Sequence, residues 1–166
     1  MKSLKLALVL ATLAIVLPAA AQTSTSDAQA AFERLKQLQG EWQATTPDGK
    51  GDHLTYRLIA SGSAVEERYT GQHGDMLTVF TLDGNRILLT HYCMAHNQPR
   101  MTATALKNDD LDFQFLDVAG LATPGTGHMH NASFHFTDAN HFSTTWHFVE
   151  NGKEKFTENI QFARLR

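Results

Sequence analysis

The sequence has few of the residues that cross-link a chain, anchor it in a membrane or bind nucleic acid. Its single cysteine, Cys93, excludes an internal disulfide. After residue 21, no apolar run approaches the ~20 residues that a transmembrane helix needs. Acidic residues outnumber basic ones, giving a net charge of −3, and no basic run is present. Nucleic acid is therefore not an expected partner.

Several catalytic motifs are also absent. The sequence contains no G-x-S-x-G, no H-E-x-x-H and no phosphate-binding glycine loop. The usual signatures of serine hydrolases, zinc proteases and nucleotide-binding proteins are therefore missing. What remains is a chain with the length of one domain and a large number of histidines, nine in all.

The first residues have the pattern of a signal peptide. Lys2 and Lys5 precede an apolar run over residues 6–17, and the alanines at 19–21 provide a small-residue cleavage site. We expect cleavage near Ala21, which leaves residues 22–166 as a single domain. No cysteine comes directly after the apolar run, so no stable membrane anchor is expected. This pattern predicts a periplasmic or secreted protein.

The spacing of apolar residues changes once, at Gly40. Before Gly40 it is helical, and after a Ser26–Gln29 capping box it predicts one short helix over about residues 27–39. After Gly40 it is an alternation of apolar and polar residues in about ten runs of strand length. No helical pattern separates these runs, which excludes parallel crossovers. The predicted fold is all-β, an antiparallel up-and-down meander that closes into a barrel and so avoids exposed edges.

Three turns predict the strand register. A two-residue turn at Asp83-Gly84 and three-residue loops at residues 138–140 and 150–152 place apolar side chains opposite each other: Phe80 with Ile87, Phe136 with Phe142, and Trp146 with Phe156. The same registers place Met76 opposite His91 and His130 opposite Phe148. A four-residue loop near residue 139 would instead pair His130 with His147. We favour the shorter loop because it keeps the aromatic residues on one face.

The motif Gly40-Glu41-Trp42, between a helix and a long meander, resembles the amino-terminal motif of lipocalins and their calycin relatives. This resemblance implies a calycin-like barrel in which an arginine of the last strand, Arg164 or Arg166, packs on Trp42. The segments Thr90-His91-Tyr92-Cys93 and Asn97-Gln98-Pro99-Arg100 are similar to uncharacterised exported bacterial proteins, which implies no activity. The resemblance therefore predicts a fold and not a ligand.

The densest group of reactive side chains lies in residues 90–101, which include His91, Cys93 and Arg100. We expect a small hydrophobic or amphipathic molecule to enter the barrel near this turn. His91, His130 and Arg100 would orient it, although Arg100 would equally pair with an acidic neighbour. The apolar lining is expected from inward positions of the strands: Tyr56, Phe80, Leu89, Phe113, Phe115, Phe134 and Trp146. This role needs no cofactor.

Two other functions stay open. His128 and His130 lie two apart on one strand and would bind zinc or haem with His91, His96 or Cys93 as a further ligand. Alternatively, His91 would activate Cys93 in an enzyme, because residues two apart on a strand point the same way. We expect Cys93 to be buried and slow to react, which favours a binding protein over an enzyme. The sequence does not determine the oligomeric state, and a solid interior would favour a structural role.

Overall fold

The computed structural model describes residues 26–165, apart from the side chain of Asp48. The predicted signal peptide with its cleavage near Ala21, and Arg166, lie outside the described residues. In the described part of the chain, no helix has both the length and the apolar character needed to cross a membrane.

One helix precedes ten strands, as the change of spacing at Gly40 predicts. The helix α1 is Asp27–Lys36, and the strands are β1 (Gly40–Ala44), β2 (His53–Ile59), β3 (Ala64–Gly71), β4 (Gly74–Asp83), β5 (Arg86–Tyr92), β6 (Gln98–Ala103), β7 (Asp110–Ala119), β8 (His128–Phe136), β9 (His141–Glu150) and β10 (Lys153–Arg164). Each strand pairs antiparallel with its neighbours in the sequence, and β1 pairs with β10. The predicted all-β closed barrel is therefore confirmed.

The helix α1 covers one end of the barrel. Ser26 begins it, because the Ser26 hydroxyl accepts a hydrogen bond of 3.2 Å from the Gln29 backbone N–H. The Gln29 side chain bonds Glu33 instead of returning to Ser26, so the predicted capping box is half formed. Phe32 and Leu35 lie on the buried face of the helix, which contacts β4 and β5. We call this the closed end and the opposite end, with the turns at residues 71–74, 93–97 and 150–153, the open end.

Trp42 and Arg164 join the first strand to the last at the closed end. They are register partners, and the Arg164 guanidinium carbon lies 4.1 Å from the centroid of the Trp42 ring. A cation over an indole face is favourable by ~0.5–2 kcal/mol. Arg164 also donates hydrogen bonds of 2.7 and 2.8 Å to the carbonyl oxygens of Gln39 and Gln37. The expected packing of Arg164 on Trp42 is confirmed.

The register of the β4–β5 hairpin differs from the prediction. The two-residue turn is Gly84-Asn85, one residue later than expected, so that Phe80 faces Leu89 and Thr78 faces His91. Gly84 has a φ of 59°, as the first central residue of a type II′ turn requires. The predicted pairs Phe80–Ile87 and Met76–His91 are therefore wrong.

The last two hairpins give one wrong register and one correct one. Asn151 and Gly152, with φ of 53° and 70°, form a two-residue type I′ turn instead of the predicted three-residue loop. A β-bulge between Glu154 and Phe156 shifts the pairing by one further residue, so Trp146 faces Glu158 and the predicted Trp146–Phe156 pair is wrong. The predicted pair of Phe136 with Phe142 is confirmed.

Aromatic side chains fill the closed half of the barrel. Phe80, Phe113 and Phe134 form a triangle with ring centroids 5.7–5.8 Å apart, and each is fully buried. Burying one such side chain stabilises the fold by about 1.5–3 kcal/mol. Leu89 is fully buried beside them. These expected lining residues are therefore core residues.

Candidate functional site

An inner cavity lies between the aromatic core and the open end. Its volume is about 40 Å³, and the side chains that surround it include Tyr69, Met76, His91, Met129, Trp146 and Glu158. A water molecule needs about 10–15 Å³ of such space. The cavity therefore has room for a few water molecules or an ion, whereas drug-sized ligands occupy pockets of ~300 Å³ or more.

Four buried polar side chains form a hydrogen-bonded chain that ends at this cavity. The Tyr56 hydroxyl donates to one carboxylate oxygen of Glu67, and the Thr78 hydroxyl donates to the other at 3.0 Å. Thr78 Oγ1 also lies 3.0 Å from Nδ1 of His91. All four are buried, and His91 is only 4 % exposed. Burying polar groups lowers the stability of the fold unless they are hydrogen-bonded. In these four side chains, one buried polar atom has no hydrogen-bond partner.

The unpaired atom is Nε2 of His91. The Thr78 hydroxyl has one proton and donates it to Glu67, so the contact with His91 requires Nδ1–H of the imidazole to donate to Thr78. Nε2 then carries a free lone pair. It is buried and has no hydrogen-bond partner among the described residues. Since His91 lines the inner cavity, the cavity contains a hydrogen-bond acceptor or metal ligand held in one tautomer.

Burial sets the protonation of these groups. It lowers the pKa of His91 to about 4, so the imidazole is neutral at neutral pH. Burial raises the pKa of Glu67, while the hydrogen bonds from Tyr56 and Thr78 lower it in part. Burial and the neighbouring carboxylate raise the pKa of Tyr56, which stays a phenol. The hydroxyl protons of Tyr56 and Thr78 therefore lie on their hydrogen bonds to Glu67, and the imidazole proton lies on the bond from His91 to Thr78.

Two opposite walls of the barrel provide the cavity lining. Met76 on β4 and His91 on β5 lie on one wall, and Met129 on β8 and Trp146 on β9 lie on the other. The His91 and Trp146 ring centroids are 5.0 Å apart across the interior. The barrel is therefore narrow at this level, and side chains from both walls reach the same point.

A second, larger pocket of about 260 Å³ opens above the inner cavity; we call it the mouth pocket. Its lining is mainly apolar and rich in sulfur, and includes Met76, Cys93, Met94, Met129, Phe148 and Phe156. Met94 is 55 % and Phe156 48 % exposed, although both are large and apolar. Phe156 stacks on Phe148 with centroids 4.8 Å apart. Exposed apolar side chains around a concavity are typical of a binding surface.

The mouth pocket and the inner cavity share three lining residues, Met76, Met129 and Glu158. Burial raises the pKa of Glu158, whose side chain lies 3.7 Å from Nε2 of His73 at the rim. Together the two spaces form one path from the open end to His91.

Cys93 lies at the mouth pocket and is half-buried, less than the sequence predicts. Burial raises the pKa of its thiol, which reduces the thiolate that a nucleophile requires. His91 makes its one hydrogen bond to Thr78, and none to Cys93 is found in the described part of the chain. In the described residues, His91 is therefore not placed as a base for this thiol.

Arg100 lies on the outer surface and not beside His91. It forms a two-pronged ion pair with Asp117, with 2.7 Å between Nε and Oδ1. This pairing lowers the pKa of Asp117. Arg100 faces Thr90 across β5 and β6, and Thr90 points outward because His91 points inward. His91 and Arg100 therefore lie on opposite faces of the barrel wall, and the structure does not bring them together as expected for one ligand near this turn.

His128 and His130 also lie outside the barrel wall. Nε2 of His128 is 3.3 Å from Nδ1 of His130, and Phe115 stacks on His130 with centroids 4.1 Å apart. A β-bulge between Met129 and Asn131 removes His130 from the ladder, so it faces neither Phe148 nor His147. Phe115, expected in the lining, packs on His130 next to the point where the pairing of β7 with β8 ends, after Phe113.

The three histidines of the expected metal site are therefore not brought together, because His91 is inside and the other two are outside. Within residues 26–165, no group of three or more His, Cys, Asp or Glu side chains is placed to hold a metal ion. Of the six expected ligand-binding residues, the structure places His91 and Trp146 at the inner cavity. Tyr56 and Phe80 are in the core, and Arg100 and His130 are outside.

Sequence reasoning missed Glu67, Thr78 and the two cavity methionines. A signal was present for Glu67, since Val65, Glu67 and Tyr69 alternate with the outward residues Glu66 and Arg68. An acidic residue at an inward position of a strand indicates a buried polar partner. Thr78 was hidden by the wrong turn, which placed Met76 opposite His91.

Comparisons with known proteins support the fold alone. No family model matches the chain, and no curated protein matches it. A solved structure, a protein of unknown function from the DUF3598 family of Nostoc punctiforme, is similar with a TM-score of 0.54 and 11 % identity. The match covers 79 % of this chain and 49 % of that one, so this chain spans about half its length. The similarity is one of barrel architecture and does not indicate an activity.

Proposed function

We propose that the chain is an exported, lipocalin-like barrel that binds a small amphipathic molecule at its open end. The observation that carries the proposal is the path from the exposed, apolar mouth pocket to the unpaired Nε2 of His91. Lipocalin-like character is supported by Trp42 near the start of the meander and Arg164 packed on it. Export is supported by the signal-peptide pattern of residues 1–21.

The geometry favours a ligand with an apolar body and one polar end. Phe148, Phe156 and Met94 would contact the body in the mouth pocket. A hydroxyl or N–H at the other end would donate to Nε2 of His91, next to Trp146, since an unpaired buried acceptor gains most from a donor. The mouth pocket of about 260 Å³ suits a molecule smaller than most drugs.

The alternatives have less support. The inner cavity of about 40 Å³ does not accommodate a porphyrin at His91, so haem is not part of this proposal. An enzyme that uses Cys93 would need a base near the thiol, and His91 is bonded to Thr78 instead. We therefore propose binding without a catalytic residue and without an organic cofactor.

The test is a titration of the protein with the fluorescent apolar probe 1-anilinonaphthalene-8-sulfonate. Phe156→Asp places a charge in the mouth pocket at a half-exposed position and should weaken probe binding by about tenfold or more. Leu58→Asp, at an exposed apolar position on β2 outside the pocket, is the matched control and should bind like the natural protein. Equal binding by the two variants would contradict a site at the open end.

A further inference from the structure

The inner cavity has the composition of a soft-metal site. Three residues whose side chains can bind such a metal line it: His91, through Nε2, and the thioethers Met76 and Met129. The chain has only five methionines, and two of them line a cavity of about 40 Å³. The same cavity is lined by His91, whose buried Nε2 has no partner among the described residues.

His91 is held as metal-binding histidines usually are. Its Nδ1–H donates to Thr78, and the Thr78 hydroxyl donates to the Glu67 carboxylate. Ligating histidines typically donate the second ring N–H to an acceptor that fixes the tautomer and raises the basicity of the ligating nitrogen. Here the acceptor is a hydroxyl backed by a buried carboxylate, so the lone pair of Nε2 is fixed in direction.

The strand register brings the sulfurs within reach of this nitrogen. Thr78 faces His91, and Met76 lies two residues before Thr78 on the same face of β4. Diagonal neighbours of this kind have Cα atoms about 7–8 Å apart, a distance that a methionine side chain spans. Met129 approaches from the opposite wall, next to Trp146, whose ring is 5.0 Å from His91.

We propose that the inner cavity binds one soft monovalent metal cation, Cu(I) or Ag(I), through Nε2 of His91 and the sulfurs of Met76 and Met129. Thioether and imidazole ligands in low number favour Cu(I). Structural zinc takes four ligands from cysteine, histidine and carboxylate side chains, and the described residues offer no group of even three.

The surroundings of the cavity also suit a cation. The face of an indole attracts a positive charge, and Trp146 forms part of the wall. Glu67 and Glu158 both line the cavity, and their carboxylate forms would supply the negative charge without which a buried cation is unfavourable. Cys93 and Met94 in the mouth pocket provide further sulfur atoms along the route from the open end.

This proposal does not rest on the binding of an amphipathic molecule, but both ligands would use Nε2 of His91, and Met76 and Met129 line both spaces. A bound metal and that molecule would therefore compete. The test uses the metal-free protein under anaerobic conditions with Cu(I) and a competing chelator, and Ag(I) in parallel. We expect one metal ion per chain, quenching of tryptophan fluorescence, and X-ray absorption that shows sulfur and nitrogen ligands.

Substitutions separate the possible outcomes. A double variant with Met76→Leu and Met129→Leu keeps the side-chain volume but removes both sulfurs. It should bind Cu(I) about a hundredfold more weakly, or worse. Met101→Leu, at a fully buried position that does not line the cavity, is the control and should bind normally. Circular dichroism of each variant shows whether it folds.

Three results would overturn the proposal. Failure of the natural protein to compete for Cu(I) would mean that Nε2 of His91 bonds only water. Unchanged binding in the double methionine variant would exclude the two sulfurs as ligands. Loss of binding in Cys93→Ser with full binding in the double variant would place the metal in the mouth pocket. Loss of probe binding in Phe156→Asp with normal Cu(I) binding would leave this site intact.

Discussion

Acid should destabilise the metal-free protein mainly through one histidine. Burial lowers the pKa of His91 from an ordinary value of 6.5 to about 4. As the pH falls below 6.5, the unfolded chain takes up a proton at this position that the folded chain refuses until about pH 4. The part of the unfolding free energy that depends on a neutral His91 is therefore fully present above pH 6.5 and is lost as the pH falls toward 4. The loss at pH 4 amounts to about 3 kcal/mol of unfolding free energy.

The measurement is the urea midpoint and slope of the natural protein and of His91→Gln at several pH values from 7 to 4. Glutamine retains an N–H for Thr78 but does not titrate, so the difference between the two proteins isolates this histidine. The natural protein should lose its advantage over the variant by about 3 kcal/mol across this range. Parallel pH profiles, or an equal change in a variant of the exposed His135, would refute the reasoning.

Three further outcomes are expected. Arg164→Ala should lower the unfolding free energy by about 1–3 kcal/mol in chemical denaturation, through loss of the Trp42 contact and the carbonyl hydrogen bonds, and Arg164→Lys should recover less than half of it. Gly71→Ala should cost about 1–3 kcal/mol, since a Cβ there would overlap the buried Asp52 carboxylate; a neutral result would show that Asp52 moves freely. A thiol reagent should label Cys93 more slowly in the folded protein than in urea, because burial raises the pKa of the thiol; equal rates would mean that Cys93 is open to solvent.

The architecture followed from the sequence because it depends on repeated, local signals. Ten alternating runs and one helical segment define the element order, and antiparallel pairing of consecutive strands needs nothing more. The registers were less predictable, since each depends on one turn. Gly84-Asn85 and Asn151-Gly152 are both two-residue turns, and a shift of one residue in either moves every partner along the strand.

The candidate site was predicted only in part, and for a related reason. His91 stands out in the sequence because it lies near Cys93 and Arg100 in a short window. Its actual partners, Thr78 and Glu67, are on other strands, and the register decides that they meet. Arg100 was assigned to the interior by its proximity to His91 along the chain, and His130 by its predicted pairing with Phe148. Strand alternation and a bulge place them outside instead.

The pairing of β1 with β10 also determines when folding can finish. Arg164 contacts the Gln39 carbonyl across 125 positions of the chain, so the last contacts form only after nearly the whole domain is in place. Contacts between such distant residues slow folding, because the chain loses entropy before it gains them. Until β10 arrives, β1 and β9 each present an unpaired edge to which strands of other molecules can add. A chain that ends before β10 begins would therefore expose two strand edges, and we expect it to aggregate instead of closing into a smaller barrel.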